Sequence, residues 1–138
     1  MVTPTYPTAE LTQAINDACY WTNCNHDHSP TNLEPLTKWA VVVTNEISTS
    51  RGVAWNADVY YAGMKAFTAS NSGNGGDNKY QYAPNTPEEA SYLMFKIDAQ
   101  AAYPTVTYEV EDNAIAFLDQ IHCHQIAMNK AARKRKVK

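Results

Sequence analysis

The chain has 138 residues, of which 44% are hydrophobic and 18% are charged, and its net charge is −3. This length suffices for one domain with its own hydrophobic core, so neither a metal nor a disulfide framework is needed for stability. The longest apolar run, around residues 41–43, falls far short of the roughly 20 residues of a membrane helix. Residues 1–11 also lack the basic and apolar segments of a secretory signal. We therefore expect one cytoplasmic domain over residues 1–138, with no membrane contact.

The charge is distributed unevenly along the chain. Residues 1–129 carry five basic and fourteen acidic side chains, a net of −9, whereas residues 130–138 carry six basic side chains and no acidic ones. An acidic body of this kind disfavours binding to duplex DNA. The basic C-terminal tail, residues 130–138, is compatible with three roles: contact with nucleic acid, pairing with the acidic body of a neighbouring subunit in a homo-oligomer, or stabilisation of a helix C-terminus.

The first half of the chain predicts a helix followed by a β-meander. Apolar residues at helical spacing predict a helix over residues 8–20, with Thr8 as its N-cap. Residues 22–37 are polar, contain two prolines and predict a loop. The β-branched run KWAVVVTNEI, the alternating residues 53–61 and the returning residues 65–69 predict three antiparallel strands. Alternation of Tyr80 and Tyr82 predicts a further short strand.

The second half predicts helix, strand and helix. Thr86 precedes Pro87, so we expect a helix start at which the Thr86 hydroxyl accepts from the Glu89 amide. The expected inward stripe of this helix is Ala90, Leu93, Met94, Ile97 and Ala101. Alternation over residues 105–111 predicts a strand, and Asp112 predicts the cap of a last helix. Its expected inward residues are Ala114, Phe117, Leu118, Ile121 and Met128. The predicted class is α+β, a small antiparallel β-meander sheet packed against two or three helices.

All cysteines and histidines fall into two groups, residues 19–28 and 122–124. Zinc prefers such ligands, and the candidates for it are Cys24, His26, His28 and His122. In a helix, however, His122 and His124 point about 200° apart and cannot share a metal, and His124 faces the apolar stripe. We therefore expect no cofactor, with zinc as the alternative. A Cys–His hydrolase around Cys123 lacks an oxyanion loop and a third member, which argues against an enzyme.

A glycine-rich loop, SNSGNGGDN at residues 70–78, holds three of the five glycines. It fits neither the dinucleotide fingerprint nor the phosphate-loop pattern. Consecutive glycines can turn several backbone amides toward one point and so form a site for an anion. The alternative is a long hairpin turn that binds nothing.

Residues around this loop suggest a nucleotide-type ligand. Three of the five cations of the acidic body lie at the ends of the predicted strands, and tyrosines nearby offer flat surfaces for a base. Trp55 and Tyr61 share a face with Val53 and Val59 and are assigned to the core. The predicted ligand-binding residues are Arg51, Tyr60, Lys65, Asn71, Gly73, Asn74, Gly75, Gly76, Asn78, Lys79, Tyr80 and Tyr82.

Residues 52–78, GVAWNADVYYAGMKAFTASNSGNGGDN, resemble a segment of a large group of small phage-encoded proteins of unassigned role. In that group a hairpin leads into an Asn-x-Gly-x-Gly-Gly loop, which Asn71, Gly73, Gly75 and Gly76 match. The group also closes with a helix and a Lys/Arg-rich end, as in NKAARKRKVK. One departure is Ala62-Gly63-Met64, where Asp-Gly-Lys is commoner.

The resemblance implies a phage protein in the host cytoplasm, and small phage proteins without catalytic motifs often counteract host defence. We therefore expect a protein similar to the viral sponges that sequester a cyclic oligonucleotide or related immune signal without turnover. Three alternatives stay open. One is an acidic inhibitor of a host enzyme that uses Glu109, Glu111 and Asp112, one is a phage structural accessory protein, and one is an enzyme, either a zinc hydrolase or a nuclease of signal molecules.

Overall fold

A computed structural model describes residues 3–22, 30–73 and 78–136, and within these ranges the side chains of residues 16, 18–22 and 134–136 are left undescribed. The first helix, α1, spans Ala9–Thr22. Its N-cap is Thr8, as predicted, since the Leu11 amide donates to Thr8 Oγ1 at 3.1 Å. In the described part of the predicted loop that follows, residues 30–37, Glu34–Leu36 form a short 3-10 helix.

Four antiparallel strands form one sheet, which confirms the predicted meander. They are β1 Trp39–Thr49, β2 Gly52–Tyr61, β3 Met64–Asn71 and β4 Lys79–Gln81. Their order in the sheet is the order in the chain. The short fourth strand is the one that the alternation of tyrosines predicted.

The second helix, α2, spans Pro87–Ala102, but two details of its prediction are wrong. The Thr86 hydroxyl donates to the carbonyl of Ala83 at 2.5 Å instead of accepting from Glu89. The buried residues are Phe95, Ala99 and Ala102. The predicted stripe points elsewhere: Leu93 is 50% exposed and Ile97 is 69% exposed, Ala90 and Ala101 are exposed, and Met94 is half-buried. A single large ring, Phe95, decides which face of the helix packs on the sheet.

The third helix, α3, spans Val110–Lys136 and replaces the strand predicted for residues 105–111. Residues 105–109 form an irregular connection instead. The side-chain amide of Gln100 stabilises the backbone of this connection by donating to the carbonyls of Tyr103 and Val106, at 3.0 and 2.9 Å. Because the helix begins at Val110, Asp112 lies in its first turn rather than at its cap.

The inward face of α3 is largely as predicted. Ala114, Phe117, Leu118 and Ile121 are buried, whereas Met128 is 47% exposed. The histidines are placed the other way round from the prediction: His122 is only 5% exposed, and His124 is half-buried. Met128 lies in the run of exposed residues 127–133, beyond the part of α3 that contributes to the core.

The hydrophobic core lies where one face of the sheet meets α2 and α3. Three fully buried rings occupy its centre, with centroids 4.9 Å apart for Trp39 and Phe95 and 5.5 Å apart for Phe67 and Phe95. The Trp39 indole is satisfied by Asp98, to which its Nε1 donates at 2.7 Å. None of the described helices is both long and apolar enough to span a membrane.

Candidate functional site

A β-bulge in β1 changes which side chains face the helices. Val43 pairs with Ala57, but the next paired residue is Asn45, so Thr44 is an extra residue in the strand. Because side chains alternate along a strand, the bulge reverses the faces of all residues that follow it. The helix-facing side of β1 is therefore apolar before the bulge and polar after it.

The reversal brings Glu46 to the helix-facing side, next to its cross-strand partner Trp55. Asn71 of β3 is the partner of Trp55 on the other side. These three residues form one row across the sheet, beyond the end of the core. The same reversal turns Ile47 to the opposite face, where it is 59% exposed.

The N-terminal half of α3 lies above this row and encloses a cleft with it. Asp112, Ile115, Ala116 and Asp119 line the cleft, and their i, i+3, i+4, i+7 spacing places them on one helical face. The cleft has a volume of about 260 Å³. From the sheet it is lined by Val41, Val43, Glu46, Trp55 and Asn78.

The cleft is lined by three carboxyl groups, and burial makes two of them, Asp112 and Asp119, weaker acids than usual. Burial raises the pKa of Asp119. The Cys123 thiol partly offsets this shift, because it donates a hydrogen bond to Asp119 Oδ1 at 3.6 Å. The nearby charge of Glu46 raises the pKa further. Burial also raises the pKa of Asp112, against the hydrogen bond that it accepts from the Tyr80 hydroxyl. None of the described lining residues is basic. Such a cleft favours ligand groups that donate hydrogen bonds or carry positive charge, and it disfavours phosphate in its interior.

The base of the glycine-rich loop is closed by hydrogen bonds beside the cleft. Asn71 Nδ2 donates to Asn78 Oδ1 at 2.9 Å, and the Gly73 amide donates to Asn71 Oδ1 at 2.8 Å. The Gly73 carbonyl accepts from Thr49 Oγ1 at 2.7 Å, which ties the loop to the β1–β2 turn. The Gly73 amide is thus engaged within the loop.

Four of the predicted ligand residues lie in or beside the cleft region at this end of the sheet. Arg51 occupies the exposed β1–β2 turn. The hydrogen bonds at the base of the glycine-rich loop place Asn71, Gly73 and Asn78 next to that turn. The structure therefore brings the β1–β2 turn, the loop base and the cleft into one region.

The other described candidates lie away from the cleft, either toward the opposite end of the sheet or, for Lys79, at this end but on the other face. Tyr60 pairs with Lys65 near the β2–β3 turn, five residues along β2 from Trp55 or roughly 17 Å. Lys65 also forms an ion pair of 3.3 Å with Asp58. Lys79 neighbours Tyr80 in β4 and so projects from the sheet face opposite the cleft.

The two remaining tyrosines pack within the fold. Tyr80 lies 5.2 Å from Tyr92 between ring centroids, and its hydroxyl donates to Asp112. Tyr82 stacks on Tyr92 with centroids 4.9 Å apart and planes 17° apart. The Tyr92 hydroxyl in turn donates to Glu111 at 2.9 Å. Asp112 and Glu111, two of the acidic residues that an inhibitor of a host enzyme would use, therefore already accept hydrogen bonds from these tyrosines.

Some candidates lie outside the described residues, namely Asn74, Gly75, Gly76, Cys24, His26 and His28. Of the zinc candidates, only His122 is described, and its Nδ1 forms a hydrogen bond of 3.1 Å with Thr5 Oγ1. Within the part of the chain that the structure describes, no three His, Cys, Asp or Glu side chains are grouped to hold a metal.

Sequence reasoning missed Glu46 and Asp119, and it assigned Trp55 to the core. Trp55 is half-buried, packing on the core with one part and lining the cleft with another. The spacing of Asp112 and Asp119, seven residues apart, is the one sequence pattern that could have indicated an acidic helical face. Glu46 could not be placed without knowledge of the bulge.

The chain matches no protein-family model, and neither curated proteins nor solved structures include a significantly similar one. The fold and the cleft define a small α+β protein with an acidic cleft that contains a tryptophan. Its function is therefore inferred from the cleft itself.

Proposed function

We propose that the protein binds a nucleotide-type ligand without catalysis and that the base of the ligand enters the cleft against Trp55. The observation that carries this proposal is the combination of an indole with acceptor carboxylates in one cleft. In the setting implied by the resemblance to phage proteins, the ligand is a signalling nucleotide of the host, which the protein sequesters.

The chemistry of the cleft suits a base better than a phosphate. A base offers a flat π-face to an aromatic ring, and stacking of this kind contributes about 1–3 kcal/mol per base. The amino and imino N–H groups of a base are donors, and the carboxylates of Asp112 and Asp119 are acceptors when ionised. A volume of about 260 Å³ lies at or below the lower end of the range for drug-sized ligands, so it suits one base and leaves the phosphates outside.

Outside the cleft, the β1–β2 turn and the glycine-rich loop lie at the same end of the sheet. Arg51 is exposed there. This arrangement supports an orientation with the base inside and the phosphates toward Arg51 and the loop. The orientation also keeps the phosphates away from Glu46, Asp112 and Asp119, which would repel them.

The most reactive side chain beside the cleft is poorly suited to nucleophilic catalysis. Burial, followed by the Asp119 charge, raises the pKa of the Cys123 thiol to about 11. The thiolate is the nucleophilic form, so at neutral pH Cys123 is almost entirely the unreactive thiol. This supports binding without turnover as the proposed activity.

Isothermal titration with a panel of cyclic di- and trinucleotides tests the proposal. We expect submicromolar binding for at least one member, a loss of at least tenfold in affinity for Trp55→Ala, and a smaller loss for Trp55→Phe, which keeps a ring for stacking. Tyr60→Ala, on the other face of the sheet, is the matched control and should bind as the wild type does. Absence of binding across the panel, or equal losses for Trp55→Ala and Tyr60→Ala, would overturn the proposal.

A further inference from the structure

A second cleft, about 210 Å³ in volume, lies between the start of the chain and the second half of α3. The residues that line it are Thr3, Thr5, His122, Ile126, Asn129 and Arg133. The four from α3 follow one another at intervals of four, three and four residues and so share one stripe of the helix. None of these described lining residues is acidic, although residues 1–129 carry a net charge of −9. The second cleft is therefore a local exception in an acidic body.

The wall that the start of the chain contributes is held in place at three points. Thr5 Oγ1 forms a hydrogen bond of 3.1 Å with His122 Nδ1. The Tyr6 hydroxyl accepts from the Gly63 amide at 2.6 Å, which ties the segment to the β2–β3 turn. Pro7 is buried. Both walls of the second cleft are thus anchored to the body of the domain.

His122 forms the inner end of the second cleft and has one ring nitrogen without a partner. The residue is only 5% exposed, and its Nδ1 is bonded to Thr5. No residue in the described part of the chain forms a hydrogen bond with its other nitrogen, Nε2. When the Thr5 hydroxyl donates to Nδ1, the neutral ring carries its proton on Nε2. A buried N–H group without a partner is unfavourable, so Nε2 favours a ligand that offers an acceptor atom.

The outer end of the second cleft carries a cation and a side-chain amide. Arg133 is exposed and forms no ion pair with any acidic residue that the structure describes. Asn129, one turn earlier, accepts from Gln125 Nε2 at 2.9 Å through its Oδ1, so its Nδ2 group is available as a donor. Helical side chains lean toward the helix N-terminus, so Arg133 extends over the turn that carries Asn129. A guanidinium binds phosphate oxygens through two parallel N–H donors, which makes this end suitable for a phosphate group.

The two ends of the second cleft are too far apart for one bare ion. Asn129 is seven residues beyond His122, and at 1.5 Å per residue the helix holds their backbones roughly 10 Å apart. Ile126 lies between them on the same stripe and offers an apolar surface. A phosphate ester with a short carbon body matches this order of polar, apolar and charged groups.

We infer that the second cleft binds a small phosphate monoester. Arg133 and Asn129 hold the phosphate at the outer end, and His122 donates from Nε2 to an oxygen of the ligand's body at the inner end. The bound ligand bridges the start of the chain and α3. This site is separate from the acidic cleft and goes beyond the proposed function.

NMR titration of the full-length protein at neutral pH tests the inference, with inorganic phosphate and glycerol 3-phosphate as probes. The backbone amides of α3 and the ring of His122 are followed while potassium chloride keeps the ionic strength constant. We expect saturable shifts for both probes, with a dissociation constant below about 1 mM for glycerol 3-phosphate. Inorganic phosphate should bind at least about threefold more weakly, because it cannot also reach His122.

Variants assign the two ends of the second cleft. Arg133→Gln should weaken both probes at least about tenfold, because the charge-assisted hydrogen bonds are lost. Lys130→Gln removes an exposed cation of the same helix outside the cleft and is the matched control, with a loss of less than about twofold. Asn129→Asp keeps the acceptor for Gln125 but places a negative charge beside the phosphate, so it should abolish binding of both probes. His122→Phe should weaken glycerol 3-phosphate alone.

Three results would overturn the inference. One is the absence of saturable shifts for both probes up to about 50 mM. Another is an equal loss of affinity for Arg133→Gln and Lys130→Gln. The third is an unchanged preference for glycerol 3-phosphate in His122→Phe protein that circular dichroism shows to be folded. Neither probe contains a base, so these results do not bear on nucleotide binding in the acidic cleft.

Discussion

The Tyr80 hydroxyl donates a hydrogen bond to the carboxylate of Asp112 and so joins the shortest strand, β4, to the first turn of α3. Each partner is partly buried, and each changes the other's acidity. Burial and the bonded carboxylate raise the pKa of Tyr80, and burial raises the pKa of Asp112 although the bond opposes this. The bond therefore fixes one wall of the acidic cleft at the point where the glycine-rich loop returns to the sheet.

Replacing Tyr80 by Phe should destabilise the protein by about 1–3 kcal/mol, because Asp112 then loses one of its hydrogen-bond donors while remaining partly buried. Urea unfolding measures the change in the free energy of unfolding. Tyr60→Phe removes a hydroxyl from the opposite face of the sheet and should cost less than about 0.5 kcal/mol. Equal costs for the two variants would show that the bond to Asp112 contributes nothing to stability.

Two glycines with similar dihedral angles should respond differently to Ala. Gly73 has φ +79°, and a Cβ there would lie 2.6 Å from the backbone N of Ala54, whereas Gly63 has φ +91° and nothing within 4 Å of an added Cβ. Gly63→Ala should cost only the backbone strain, about 1–2 kcal/mol. Gly73→Ala adds a clash with backbone that cannot move without shifting β2.

We therefore expect Gly73→Ala to reduce the free energy of unfolding by at least about 1 kcal/mol more than Gly63→Ala. Thermal and urea unfolding of the two variants provide the comparison. The same substitution at Gly73 should also disturb the loop base, because its carbonyl accepts from Thr49. Indistinguishable stabilities would contradict the close approach of the loop to β2.

The exposed apolar side of α2 should tolerate polar residues. Leu93→Gln and Ile97→Gln are expected to change stability by no more than about 0.5 kcal/mol each, since both side chains are at least half exposed. Phe95→Ala, between them in sequence, removes a fully buried ring and should cost about 3–5 kcal/mol. Chemical denaturation distinguishes the two faces. A large loss of stability for Ile97→Gln together with a small loss for Phe95→Ala would show that the face predicted from the sequence is the buried one.

The strands could be predicted because their alternation is long and is interrupted by clear turns. Residues 53–61 sustain it over nine positions, and Tyr80 and Tyr82 continue it beyond the loop. The alternation over residues 105–111 is equally regular, yet it belongs to an irregular connection and the start of α3. Its backbone is held by the Gln100 side chain, a contact from another element that local periodicity does not contain.

The candidate site was harder to predict because it depends on a one-residue irregularity. Without the bulge at Thr44, Asn45 and Ile47 would face α3, and Glu46 would face away. The sequence TNEIS gives no sign of this shift. The predicted ligand residues are not all in one place, because Arg51 lies in the β1–β2 turn and Lys65 follows the β2–β3 turn. Successive turns of a meander lie at opposite ends of the sheet.

His122 should make the protein less stable as the pH falls from neutral. Burial lowers its pKa below the ordinary value of 6.5, although the Asp119 charge acts in the other direction. The unfolded chain therefore binds the proton more readily than the folded one. The resulting stability is fully present above about pH 6.5, and it is lost as the pH falls through the unfolded pKa toward the lower folded one.

NMR titration should place the His122 midpoint below 6.5, and the melting temperature should fall between pH 7.5 and pH 5.5. His122→Asn removes the titrating ring, so its melting temperature should change less over this interval than that of the wild type. Thr5→Val removes the hydroxyl that bonds Nδ1 but keeps the ring buried. We expect it to lower stability at every pH while retaining the slope, because burial is the larger cause of the shift. A steeper slope for His122→Asn than for the wild type would mean that the folded protein binds the His122 proton more tightly than the unfolded chain does.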